Sequence, residues 1–304
     1  MTRTRILAAG LLLAAAVPLA ACGGGGDPLA PATSAGSTGG ATGAAGSVTV
    51  GSADFPEAAL LGEIYAQALE AEGMTVKRQF NIGSRETYLK AITGGEVDVL
   101  PEYTGSLLNY FDQNAKVTAP DEVFAALEKA LPEGLSVLDK SAAEDKNSLV
   151  VTQDTASQWS LKAIPDLAAH QAELSIGAPP EFKTRQQGLV GLKSVYNIVP
   201  NEFRPLQSQA SVEALKNGQV KAANIFSTDP SIVANGFVVL EDPQSLFGSD
   251  NVVPLVRTEK ADSLKEALNA VSAKLDTPAL ADMVKQVVVD KKDASEVAKT
   301  WLAS

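Results

Sequence analysis

One pattern that occurs twice constrains this chain most. Thr87 to Ile92 has helical spacing and is stopped by Gly94-Gly95; Val97-Asp98-Val99-Leu100 then reads as a strand and leads to Tyr103-Thr104. The same order returns later, with Ser211 to Leu215 as a helix stopped by Gly218, Val220 to Ile225 as a strand, then Phe226-Ser227. A second pair of segments agrees at nearly the same offset. Val48-Thr49-Val50-Gly51 is a short apolar strand ending in glycine, followed by a loop with Phe55 and a helix-period stretch from Pro56 to Glu72; Leu174-Ser175-Ile176-Gly177 is followed by a loop with Phe182 and another apolar-periodic segment. Pro56 suits a first helical turn, where no N–H is needed. A single match is what any α/β protein supplies, and its aromatic is ordinarily core packing. Two matches at nearly equal spacing predict two similar α/β lobes. Each then presents an aromatic followed by a hydroxyl at the carboxyl end of a strand, where open α/β sheets hold ligands. A cleft between the lobes is the expected site. The predicted division is 48–150 for the first lobe, 151–252 for the second, and 253–304 returning to the first. That last part has helical spacing from Asp262 to Leu275, a cap and first-turn proline at Thr277-Pro278, and a closing amphipathic piece from Ser295 to Leu302.

The N-terminus carries an address. Arg3 and Arg5 precede an apolar run, Ile6 to Val17, that is shorter than the roughly 20 residues of a spanning helix. Leu19-Ala20-Ala21 stands directly before Cys22, the only cysteine. This is the arrangement of a lipoprotein signal, so residues 1–21 are expected to be removed and the Cys22 thiol to take lipid. Residues 22–47 are built almost wholly from Gly, Ala, Ser, Thr and Pro, a composition that cannot offset the entropy of ordering. A flexible linker with a reach of roughly 28 Å is expected. The body is thus placed outside the cytoplasmic membrane and anchored to it.

The chemistry available to that body is narrow. The chain carries 25 basic against 36 acidic residues, which argues against nucleic acid as a partner. With its one thiol lipidated, the body has no disulfide and relies on its core. His170 is the single histidine; it reads as a solvated helix-end residue, since one imidazole makes a poor metal site. There is no phosphate-cradling loop and no Gly-x-Ser-x-Gly elbow. No metal, no cofactor and no catalysis are expected. An enzyme on the same two lobes would have to draw its acid and base from Asp54, Glu102 and Asp229, and it is the lesser alternative.

Several segments resemble a known family. Val50-Gly51-Ser52-Ala53-Asp54-Phe55-Pro56-Glu57, Leu61-Gly62-Glu63-Ile64-Tyr65, Gly94-Gly95-Glu96-Val97-Asp98-Val99-Leu100-Pro101-Glu102-Tyr103-Thr104-Gly105 and Phe226-Ser227-Thr228-Asp229 resemble the glycine betaine/choline/carnitine-binding proteins of ABC importers, the ProX type. The resemblance runs from about Val48 to Arg257. It implies a type II periplasmic-binding fold, α/β and two-lobed, that acts as a monomer, closes on a small-molecule ligand and delivers it to an ABC permease. In that family a quaternary ammonium sits in a cage of rings, because a cation with no N–H is still attracted to ring faces. Tyr103 and Phe226 match two cage positions and are expected to face each other, with Phe55 and Thr104 beside them. Arg185 falls where the family grips a ligand carboxylate, a task its fork suits, and Ser106 falls where a hydroxyl assists.

The departures matter as much. Two further cage positions are Ser148 and Asp250 here, and a first-loop lysine of some members is Ala53. Asp250 then attracts a cation by charge; if the loop aligns a few residues differently, Phe247 supplies a ring. The expected solute is glycine betaine, choline, carnitine or a similar osmoprotectant. The opened cage leaves an alternative, a receptor or envelope module for a larger or non-quaternary ligand, amine or phenolic.

Overall fold

Short apolar runs set the strands. A computed structural model describes residues 46–304; Cys22, the signal and all but the last two residues of the linker lie outside the described residues. The strands are β1 (Ser47–Gly51), β2 (Thr75–Gln79), β3 (Val99–Tyr103), β4 (Leu135–Val137), β5 (Asn147–Val151), β6 (Ser175–Ala178), β7 (Glu202–Pro205), β8 (Ala222–Phe226), β9 (Val238–Val239) and β10 (Val252–Arg257). They form two five-stranded sheets, ordered β2-β1-β3-β10-β4 and β7-β6-β8-β5-β9. The sheets are copies of one plan. In each, the parallel trio comes first and the fourth strand runs antiparallel to the third, with Val252 opposite Tyr103 in one and Asn147 opposite Phe226 in the other.

These antiparallel strands carry the chain between lobes. The proposed divisions at 150/151 and 252/253 fall inside β5 and β10. Sheet membership instead puts the crossings before Asn147 and before Val252. A strand cannot be shared when its ladder hydrogen bonds all go to one sheet. The two crossing segments touch at an isolated antiparallel bridge, Glu144 to Asn251, and Asp145 N–H donates to the Asp250 carbonyl at 3.1 Å. Ser47, assigned to the linker, already belongs to β1.

Side-chain alternation then builds a core on both faces of each sheet. In the first lobe Val252 and Val256 join a cluster with Leu60, Ile64 and Leu69 of the helix Pro56–Ala71, while Leu255 joins another with Ile92 and Leu107. The helices Thr258–Lys274, Thr277–Val288 and Ala294–Leu302 pack on the first of these clusters through Leu268, Val271, Leu280, Met283 and Val297. The cap of the middle helix is Asp276, whose carboxylate accepts from Ala279 N–H at 2.9 Å; Thr277, the expected cap, is already in the first turn. His170 is not merely solvated. It ends a short 3-10 turn, Ile164–His170, and its ring stacks on Trp159 at 4.5 Å and 3°. Among the described residues no helix is long and apolar enough to cross a membrane.

Candidate functional site

The repeated plan places the carboxyl ends of β3 and β8 on opposite walls of one cleft, which encloses about 140 Å³. That is roughly ten times the 10–15 Å³ that one water needs, so the space suits a small organic solute. Phe55 caps the helix Pro56–Ala71 in extended conformation and turns its ring into the cleft. It stacks on Tyr103 at 6.2 Å and 28°, and on Phe226 at 5.5 Å and 24°. Tyr103 and Phe226 therefore do not simply face each other; Phe55 is the stacking partner of both.

Tyr103 is held from behind. Its phenol donates to Glu57 Oε1 at 2.7 Å, and Thr228 Oγ1, from the other lobe, donates to Glu57 Oε2 at 2.5 Å. Thr228 N–H in turn donates to Asp145 Oδ1 at 3.0 Å. Burial pushes the carboxyls of Glu57 and Asp145 above their usual values, and the proximity of Glu57 pushes Asp145 further. In sequence Glu57 is only a first-turn acid of the kind the helix dipole favours, so nothing local marks it as a link between lobes.

Among the described residues two guanidiniums line the cleft, and both are engaged. Arg85 donates from Nε and Nη2 to the two oxygens of Glu102 at 2.7 and 2.8 Å, and Tyr88 and the Tyr103 N–H also donate to that carboxylate. Arg185 is paired with Glu86 of the opposite lobe at 3.0 Å, so it does not stand free for a ligand as expected. Burial pushes the carboxyls of Asp145 and Asp250 toward their neutral forms, and the other carboxylates in the wall, Asp54, Glu181 and Asp229, still outnumber the guanidiniums.

The remaining expected residues divide. Ser106 lines the cleft; its N–H donates to Asp250 Oδ1 at 2.8 Å, and its hydroxyl lies 2.7 Å from Gln187 Oε1 and 2.6 Å from Asp250 Oδ2. Asp250 lines it too, but both of its oxygens are bound at the N-terminus of the helix Thr104–Phe111, where orphan N–H groups favour a carboxylate. The close approach there requires Gly105, since a Cβ would overlap the Ser249 carbonyl oxygen. Thr104 and Ser148 are not in the wall. Thr104 is fully buried and its Oγ1 accepts from Asn251 N–H at 3.0 Å, while Ser148 donates to the Ile225 carbonyl inside the second sheet. Phe247 supplies no ring either, because it is packed in the second-lobe core. Gln187, Asn147 and Asn224 line the cleft and were not expected; isolated amides carry no sequence signature of a site.

Comparison with known proteins agrees with this architecture. Residues 46–304 match the family described as the substrate binding domain of an ABC-type glycine betaine transport system, OpuAC. The glycine betaine-binding protein YehZ of Escherichia coli (strain K12) is 28% identical over 276 residues, 85% of this chain and 90% of the relative. The carnitine transport binding protein OpuCC of Listeria monocytogenes serotype 1/2a (strain 10403S) is 25% identical over 264 residues, 84% of this chain and 85% of the relative. Among solved structures, apo YehZ superposes with a TM-score of 0.59 at 27% identity, over 84% of this chain and 97% of that one. A crystal structure described as a glycine betaine/carnitine/choline ABC transporter gives 0.66 at 21% identity, over 84% and 97%, a likeness of fold. The two sheets with their helices are thus the two lobes of a type II periplasmic-binding fold. With most of its length matched, the chain belongs to the family of substrate-binding domains of ABC-type glycine betaine transport systems.

Proposed function

We propose that the cleft holds a small quaternary-ammonium compatible solute of the glycine betaine, choline or carnitine class. The chain captures it outside the membrane, anchored by lipid on Cys22, and passes it to an ABC permease. As a member of its family it is a binding protein of a transport system and not an enzyme. The observation that carries the ligand class is the row of three rings, Tyr103, Phe55 and Phe226, in a wall where carboxylates exceed guanidiniums. Ring faces attract a cation that has no hydrogen to donate, and surplus carboxylate selects for positive charge. The names of the relatives, glycine betaine-binding and carnitine transport binding, point the same way.

Calorimetric titration of the full-length chain in detergent tests this. Choline, glycine betaine and carnitine are compared with the neutral isostere of choline, in which carbon replaces nitrogen. A quaternary cation should bind more tightly than its isostere; equal affinity for the two sinks the reading. The amides of Asn147, Asn224 and Gln207 in the same wall favour a second reading, an amine that carries N–H groups. Polyamines and phenolics in the same screen separate the two.

Two outcomes follow from named residues. Phe55→Leu keeps apolar bulk and removes the central ring, so choline binding should weaken by about 0.5–2 kcal/mol; full affinity would mean that the rings are packing only. Cys22→Ala should move the protein from the membrane to the soluble fraction, and a wild type recovered soluble with a free Cys22 thiol would rule out the anchor.

A further inference from the structure

Arg185 lies in the cleft wall, yet its fork is already filled by the protein itself. Nε donates to Glu86 Oε1 at 3.2 Å, and Nη2 donates to Oε1 and Oε2 at 3.1 and 3.0 Å. Glu181, one turn back, adds a looser contact at 3.8 Å. Glu86 sits in the first turn of the helix Arg85–Thr93 in the first lobe, and Arg185 follows the 3-10 turn Pro180–Lys183 in the second. The pair is therefore a clasp across the mouth of the cleft. Ser84 Oγ donates to Glu86 Oε2 at 2.7 Å and orients the carboxylate from its own side.

The carboxylate end of the clasp is held ionised. Burial alone would raise Glu86, but hydrogen bonds from Arg185 and Ser84 outweigh it and hold the carboxyl down to about 2. The pair is also accessible to competition, with 30% of the Arg185 side chain and 42% of that of Glu86 exposed. Arg85, the other guanidinium in the wall, is locked on Glu102 in the interior. Among the described residues of the wall a ligand carboxylate thus has one cation to reach, Arg185, and must take it from Glu86. Doing so breaks a contact that joins the lobes and leaves two carboxylates side by side, which repel. A cation without a carboxylate meets neither obstacle, and the clasp closes beside it unchanged.

We propose that Glu86 is a specificity-determining residue: by occupying Arg185 across the cleft, it biases the site toward quaternary cations that lack a carboxylate and against zwitterions. This rests on the quaternary-ammonium reading of the cleft given above. Arg185 is then a closing contact, with Glu86 as an internal substitute for the ligand's acid group.

The test is titration of full-length wild type, Glu86→Gln, Glu86→Ala and the double variant Glu86→Gln/Arg185→Gln with choline and with glycine betaine, each protein first shown to melt cooperatively. Wild type should bind choline at least tenfold more tightly than glycine betaine. Freeing Arg185 in either Glu86 variant should shift the affinity ratio at least tenfold toward glycine betaine, and the double variant should lose that shift. Choline bound by all variants at an unchanged ratio overturns the role of Glu86 while leaving the quaternary-ammonium reading intact. A shift that persists without Arg185 also overturns it, since the effect would then not run through the guanidinium. Folded variants that bind neither ligand overturn both readings.

Discussion

Arg85→Ala should lower the free energy of unfolding by about 3–5 kcal/mol, the range for removing one partner of a buried ion pair. Glu102 is 0% exposed and Arg85 7%, so neither charge has water to fall back on. The pair is bidentate, at 2.7 and 2.8 Å. Burial by itself would lower the guanidinium, but Glu102 more than compensates and holds it well above its ordinary range, charged at every accessible pH. Without it, the Glu102 carboxylate keeps only the donors on Tyr88 and the Tyr103 backbone. The second of these ties stability to the site, because the Tyr103 N–H that Glu102 holds belongs to the residue whose ring lies against Phe55. Choline affinity should therefore fall along with stability. Arg85→Lys should recover only part of the loss, since one ammonium cannot reproduce a two-point fork. Urea unfolding measures the effect, and a loss below about 1 kcal/mol would show that the interior relaxes around the orphaned acid.

The second large effect belongs to a proton on Asp250. Ser106 has one hydroxyl hydrogen and two acceptors in reach, Gln187 Oε1 at 2.7 Å and Asp250 Oδ2 at 2.6 Å. The amide of Gln187 is fixed in this orientation because its Nε2 donates to the Phe247 carbonyl at 2.9 Å. A protonated Asp250 resolves the conflict by donating to Ser106, which then donates to Gln187 across the cleft. Burial pushes the Asp250 carboxyl up to about 7 against the pull of the Ser106 hydrogen bonds and the more distant charge of Arg85. In the unfolded chain it titrates near the ordinary 3.8, so between the two values the folded state binds the extra proton. Stability from this group is therefore lost as pH rises from about 4 to about 7, by up to about 4 kcal/mol. Asp250→Asn places an amide donor where the acid proton stood and removes the titration. It should be near neutral at pH 5 and stabilising at pH 8. Glu57 and Asp145 act with the same sign, so the readout is the difference between wild type and variant in urea unfolding at the two pH values. A difference that does not change with pH would place an ionised Asp250 in the fold.

How much of this was legible depends on how local each feature is. The strand ends at Tyr103 and Phe226 show in sequence because a glycine stop and an apolar run are read over a handful of neighbours. The helices that return to the first lobe show for the same reason, through the spacing of Leu264, Leu268 and Val271. The lobe boundaries missed because β5 and β10 look like any apolar strand, and only their ladder partners reveal which sheet they serve. The family resemblance puts Ser148 and Thr104 at the ligand. Yet Ser148 lies one position along β5 from Asn147, so its side chain points to the opposite face, and Thr104 opens the helix Thr104–Phe111 with its hydroxyl turned to the Asn251 N–H. Arg185 lines the cleft, while its engagement by Glu86 has no local signal in the sequence.

The sequence by itself determined the two-lobed α/β plan and the rings at its strand ends, because periodicity and turn chemistry act within a few residues. Only the tertiary structure decided who holds whom. Glu57 meets Thr228 across a separation of 171 residues, Ser106 meets Asp250 across 144, and Arg185 meets Glu86 across 99. Each partner is one of many acids or hydroxyls in the chain, and no local pattern ranks them. The choice is made when two packed lobes bring particular donors within hydrogen-bond reach of particular acceptors and, for Glu57 and Ser106, remove the water that would otherwise satisfy them.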